Sequence, residues 1–231
     1  MMSPAFAHAP TVLFVLTSHA VLGDTGKSTG YTVSEAADPW KVFVDHGWGV
    51  HVATVAGGPA PEDGFDPADA TQVAWKSDPG IAHQMATAPQ PEHVNAAQYD
   101  VVYLVGGHGT MWDFPDNDQL SALIADAWDR GGVVAAVCHG PAALTTARLH
   151  DGSLLIDGRR VTGFANAEES AIELTEVVPF LLADRLAAAG GHYSEGPVWA
   201  SYVVTDGRLV TGQNPASAAA VAEAAIAASG H

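Results

Sequence analysis

Residues 11–16 read Thr-Val-Leu-Phe-Val-Leu, a β-favouring run with no alternation of polar and apolar positions. Such a run predicts a strand covered on both faces, as in a parallel sheet with helices above and below. Val101-Val102-Tyr103-Leu104-Val105 and Val133-Val134-Ala135-Ala136-Val137 have the same character, and Gly47–Thr54 reads as a further strand. Between them the period changes. A helix is expected from about Ser34 to His46. From Asn117 to Asp129, Leu120, Leu123, Ile124 and Trp128 recur at helical spacing behind an Asp116-Asn117 capping signal. Leu181–Ala189 reads as a helix ended by Gly190-Gly191, and the alanine-rich Pro215–Ser229 as another. Strand and helix alternate almost throughout. The expected fold is therefore α/β: a three-layer, flavodoxin-like sandwich with a mostly parallel central sheet, helices on both faces, and ligands beyond the carboxyl ends of the strands.

One segment breaks this rhythm. Gly57–Gln90 is rich in Pro, Gly, Asp and Ala and has little strand character, so an irregular insertion is expected over about 57–90, serving as a lid, a substrate wall, a partner surface or a plain surface loop. Its apolar residues Phe65, Val73, Trp75 and Ile81 are scattered. There are no internal repeats, and 231 residues, 48% of them hydrophobic, fit a single domain over 1–231.

Charge narrows the function classes. Nine Lys and Arg against 26 Asp and Glu give a formal charge of −17, which repels phosphate backbones and anionic lipid surfaces. Neither nucleic acid nor membrane is expected as a partner. A single cysteine forms no internal disulfide, and no Lys or Arg precedes Lys27 to supply the charged region of a secretory signal. A cytoplasmic location is the expectation.

That cysteine stands where a strand meets a turn. In Val137-Cys138-His139-Gly140-Pro141-Ala142 an apolar strand ends on Cys138, a small residue gives the turn room, and Pro141 suits a first helical turn. This is how a nucleophile elbow is built, and the positive end of a following helix would lower the thiol pKa. The plainer alternative is a small buried hydrophobe. Gly106-Gly107-His108-Gly109 follows another strand, and its main-chain N–H groups could face an oxyanion formed when a thiolate adds to a carbonyl. No Gly-Lys-Ser/Thr follows, so a phosphate loop is not expected. Eleven histidines invite a metal, yet none has dedicated i, i+4 ligand spacing and there is no Cys-x-x-Cys; no metal is assigned, although His19, His108, His139 and His192 could still cluster in space.

Taken together, these motifs resemble the ThiJ/PfpI superfamily, whose domain is of the class I glutamine amidotransferase-like type. The resemblance rests on Gly106–Gly109 with Trp112-Asp113, on the elbow from Ala136 to Ala142, on Val161-Thr162-Gly163-Phe164, and on Thr211-Gly212-Gln213-Asn214-Pro215-Ala216-Ser217. It runs from Val12 to the C-terminal helix and looks most like the branch of glutathione-independent glyoxalase III enzymes and related stress chaperones. The resemblance implies Cys138 as nucleophile and Glu35, in Glu35-Ala36-Ala37-Asp38-Pro39, as the carboxyl that shuttles protons beside it. It implies an acidic partner for His139 after the Thr-Gly-Phe stretch, with Glu169 favoured and Glu168 competing, and an oxyanion or substrate contact at Gly106, Gly107 and His108. The implied substrate is a small reactive carbonyl, methylglyoxal or glyoxal, converted to lactate or glycolate without metal, nicotinamide or flavin cofactor. A homodimer is open to such a chain, and a holding chaperone or a deglycase or hydrolase is the alternative activity. Glutaminase chemistry is not expected, because no histidine has Glu two positions on; His192-Tyr193-Ser194-Glu195 has the wrong spacing.

Overall fold

In the computed structural model, residues 9–231 are described. Strand β1 (Thr11–Leu16) is buried along its whole length. A two-residue strand β2 (Tyr31–Thr32) leads directly into α1 (Val33–Asp45), and β3 (Gly49–Thr54) returns parallel to β1, with Val12 opposite Val50 and Leu16 opposite Thr54.

The 57–90 segment differs from its expectation. It holds the short strand β4 (Glu62–Asp63), paired with β2, and two helices, α2 (Ala70–Ser77) and α3 (Pro79–Ala86). Asp69 caps α2 by accepting from the N–H groups of Thr71 and Gln72, and Asp78 caps α3 by accepting from Ile81 N. Between the two caps the apolar positions are too few to show a period. Trp75 and Ile81 enter the core, while Phe65 and Val73 stay exposed. Gln84 of α3 satisfies the outer edge of β3, accepting from Val52 N at 3.0 Å and donating to Val50 O at 3.0 Å. A sheet edge that would otherwise present bare backbone is thereby covered.

After β5 (Val101–Leu104) come the single-turn helix α4 (Thr110–Asp113) and α5 (Asp118–Asp129), whose N-cap Asn117 accepts from Leu120 N at 3.0 Å. Strand β6 (Val133–Val137) ends at the elbow. Beyond it lie β7 (Arg160–Val161), α6 (Asn166–Ala171), α7 (Leu182–Ala188) and β8 (His192–Tyr193), with β7 and β8 forming a separate pair. The chain finishes with β9 (Val203–Asp206), β10 (Leu209–Gly212) and α8 (Ala218–Ser229). The two-residue turn between β9 and β10 is Gly207-Arg208, with Gly207 at φ 59° in the first central position, where a type II′ hairpin takes glycine.

The six-stranded sheet has the order β3-β1-β5-β6-β10-β9 and is parallel apart from β9. Helices α1 and α8 pack against each other on one face, and α5 lies against β5 and β6 on the other. Under α1 an aromatic group, Phe14, Phe43, Trp75 and Tyr103, joins sheet to helices, with the Phe14 and Tyr103 rings 5.1 Å apart. The carboxyl ends of β5 and β6, side by side at the middle of the sheet, carry Gly106-Gly107 and Cys138. Among the described residues, no helix is long and apolar enough to cross a membrane.

Candidate active site

The elbow is a strained turn held from both sides. Cys138 sits at φ 58°, in the left-handed region that non-glycine residues avoid at a cost of about 1–3 kcal/mol. Its N–H donates to Gly212 O at 2.9 Å and its carbonyl accepts from Phe164 N at 2.8 Å, so β10 and the Thr-Gly-Phe segment impose the conformation. The helix expected after it is a 3-10 turn, Gly140–Thr145, and not an α-helix. Burial outweighs any help from that turn. The Cys138 thiol is pushed up, first by burial and then by Glu35, against the lowering expected from a following helix.

Three groups surround the sulfur. Glu35, in the first turn of α1, is fully buried, and neither of its carboxylate oxygens has a hydrogen bond of regular geometry, although Thr32 and Cys138 lie beside it. Burial pushes its pKa up to about 8, against the opposing pull of those two neighbours. Gly106 exists for this approach: a Cβ there would collide with the Glu35 carboxylate, Val137 O and Cys138 Cβ. Gly107, at φ 112°, lies against the backbone of Gly30, Tyr31 and Thr32, and its N–H has no hydrogen-bond partner among the described residues. His139 N–H faces the sulfur.

The imidazole of His139 completes a line of contacts. Its Nδ1 is 3.3 Å from Cys138 Sγ, and its Nε2 is 2.8 Å from Glu169 Oε2. Burial and the nearby His108 lower the His139 pKa to about 4, so the ring is neutral at neutral pH. Glu169 is held ionised, at about 2, because hydrogen bonds from His108 and His139 overcome the effect of burial. An ionised Glu169 accepts from His139 Nε2–H, which leaves the Nδ1 lone pair facing the thiol.

The two adjacent glutamates have different surroundings. Glu168 Oε1 accepts from Trp199 N at 2.8 Å and from Asn214 Nδ2 at 2.7 Å, while Oε2 reaches back to Ala165 N at 3.1 Å as the third residue of α6. It fastens three chain segments, whereas Glu169 makes the hydrogen bond to His139. Asn214 is itself held by Ser217 Oγ, which donates to Asn214 Oδ1 at 3.0 Å, so the Thr211–Ser217 motif acts as a buckle under the site. The His108 side chain, expected at an oxyanion or substrate, lies 2.9 Å from Glu169 Oε1.

Several contacts were outside the reach of sequence reasoning. Phe164 packs on His139 with centroids 4.3 Å apart, and Trp199, at φ 63° and 45% exposed, packs outside Phe164 at 5.8 Å. Phe164 was visible within a motif; Trp199 had no signal beyond being aromatic. Of the four histidines considered for a cluster, His108 and His139 meet and His19 and His192 do not; His19 stacks on Trp112. The ligand atoms of His108, His139 and Glu169 lie within 4.8 Å of one another, but the 2.9 and 2.8 Å separations are those of hydrogen bonds, each using a ring N–H.

Residues 27–228 match the DJ-1/PfpI family. The chain belongs to the DJ-1/PfpI family. It is 33% identical to Glyoxalase 3 of Candida albicans, with 94% of this chain and 97% of that protein covered. It is 34% identical to Glutathione-independent glyoxalase HSP31 of Saccharomyces cerevisiae, covering 93% and 96%. Among solved structures, Francisella tularensis Rapid Encystment Protein 24 KDa superposes with a TM-score of 0.91 at 36% identity, covering 95% and 99% of the two chains. The crystal structure of glyoxalase III from Candida albicans superposes with a TM-score of 0.88 at 31% identity, covering 95% and 97%.

Proposed function

We propose that this DJ-1/PfpI protein is a glutathione-independent glyoxalase of the glyoxalase III type, converting methylglyoxal to lactate and glyoxal to glycolate with no cofactor. One observation carries the reading: a fully buried carboxyl, Glu35, whose pKa stands near 8, lies beside the thiol of an elbow cysteine. Internal redox of a 2-oxoaldehyde needs such a group, since a proton must leave the aldehyde carbon and return to the next one. A base works best when its pKa is near the operating pH. The names of the relatives at 33 and 34% identity support the same activity.

The chemistry runs as follows. Cys138 transfers its proton to His139 Nδ1 as the sulfur adds to the aldehyde carbon. The new oxyanion takes hydrogen bonds from Gly107 N–H and His139 N–H, then the proton held by His139. Ionised Glu35 takes the proton from the aldehyde carbon, giving an enediolate; the hydroxyl proton passes from the first oxygen to the second, and protonated Glu35 delivers its proton to the neighbouring carbon, leaving a 2-hydroxyacyl thioester on Cys138. Water, deprotonated by His139, cleaves the thioester and regenerates the thiol. With Cys138 only 3% exposed, access suits a small carbonyl compound better than a modified protein side chain, which places deglycase action second. The exposed large apolar residues come from separate parts of the chain, the pair Val198 and Trp199 apart, which offers little to a holding chaperone.

The test is lactate formation from methylglyoxal without glutathione. Cys138→Ala should abolish it, and Glu35→Gln should lower kcat by about 10²-fold or more, the scale of a lost general base. Full turnover by Cys138→Ala would overturn the assignment.

A further inference from the structure

Glu169 divides its carboxylate between two imidazoles, Oε2 to His139 at 2.8 Å and Oε1 to His108 at 2.9 Å, and the two rings lie 4.1 Å apart between centroids. His139 and Glu169 are buried, at 0 and 2% side-chain exposure, whereas His108 reaches 17%. Cys138, His139, Glu169 and His108 thus form one line from the thiol towards solvent. Nothing else holds the Glu169 carboxylate: among the described residues its oxygens accept only from these two rings. With His139 alone, the carboxylate would be free to turn about its terminal torsion, which is a broad and soft one.

We propose that His108 is a positioning residue for the glyoxalase reaction, clamping Glu169 so that its second oxygen keeps His139 in the tautomer whose Nδ1 lone pair faces Cys138. The inference rests on the proposed function for its kinetic consequence, but not for its structural one. The location of His108 follows from the Gly-rich loop: Gly107 at φ 112° lets the backbone pass against Tyr31 and Thr32, and the next residue turns inward over Glu169. The groups facing His108 are Glu169, His139 and the ring of Phe164, whose centroid is 6.0 Å away. His108 contributes to His139 in a second way, since its proximity helps to lower the His139 pKa and keep that ring neutral.

Two variants separate geometry from bulk. His108→Gln keeps an N–H donor within reach of Glu169; His108→Ala removes it. The expected result for His108→Ala is a kcat lower by roughly 10- to 100-fold, the scale of a misplaced catalytic group, with KM changed far less and Tm held. His108→Gln should recover most of the lost kcat. A second readout needs no turnover: ¹⁵N shifts of labelled histidine, with His139 assigned through loss of its signal in His139→Gln. Wild type and His108→Gln should show the Nε2–H tautomer at His139, and His108→Ala a mixture of tautomers. Unchanged kcat in His108→Ala, or an Nε2–H tautomer retained in that variant, would overturn the proposal, as would equal losses in both variants. If wild type gives no lactate, the functional assignment fails alone, and the tautomer shift still decides the role of His108.

Discussion

At the residue scale the site depends on proton placement, and Glu35 dominates it. Its pKa is raised to about 8 by burial, so it is mostly protonated at pH 7 and becomes a base only as pH rises. The rate of methylglyoxal loss should therefore climb through about pH 8 and level off above it, a dependence absent from Glu35→Gln; steady-state kinetics from pH 6 to 10 would show it. The same shift has a stability sign. A carboxyl whose folded pKa is raised above its ordinary 4.5 contributes fully below that value, and the contribution is lost as pH rises through about 8. Between pH 5 and 9, Tm of the wild type should fall more than Tm of Glu35→Gln, as followed by circular dichroism. Cys138 and Glu35 were legible in the chain because an elbow and an early family acid have recognisable neighbours. The thiol pKa was not, because burial by residues far along the chain sets it.

At the scale of elements, the site is a meeting of strand ends. Strands β5 and β6 are adjacent and parallel, which brings the Gly106-Gly107 loop beside the Cys138 elbow, and α1 descends on them with Glu35 in its first turn. The close passage of Gly107 past β2 should tolerate no side chain. Gly107→Ala keeps the backbone N–H but forces the loop to shift against Gly30–Thr32, so it is expected to lower Tm and, by moving that N–H off the oxyanion, to reduce turnover by about 10²-fold; paired melting and kinetic measurements check both. Strands β1, β3, β5 and β6 and helices α1, α5, α7 and α8 were readable from period and propensity, with boundaries shifted by up to three residues, whereas β9 and β10 at the far side of the sheet were not. The 57–90 segment was not, since α2 and α3 are only eight residues each and bury chiefly Gln72, Trp75 and Ile81. Helices this short take their stability from docking, and no periodicity announces them.

At the scale of the molecule, a formal charge of −17 on 231 residues means that the folded surface repels itself. Raising salt from about 0.01 to 0.15 M shortens the screening length from about 30 to 8 Å, and Tm should rise with it. A thermal melt series in sodium chloride measures this, and an unchanged or falling Tm would refute it. The apolar runs and their punctuation determined the α/β alternation, the elbow at Cys138 and the candidate set around it, because backbone preference and burial act locally and leave a period in the chain. Three-dimensional packing alone decided the rest. Glu168 and Glu169 are neighbours of the same chemistry, yet one ties Ala165, Trp199 and Asn214 together while the other faces two histidines. Which of them does which depends on the direction of one short helix against β10 and the Gly-rich loop, and direction in space is not written in spacing.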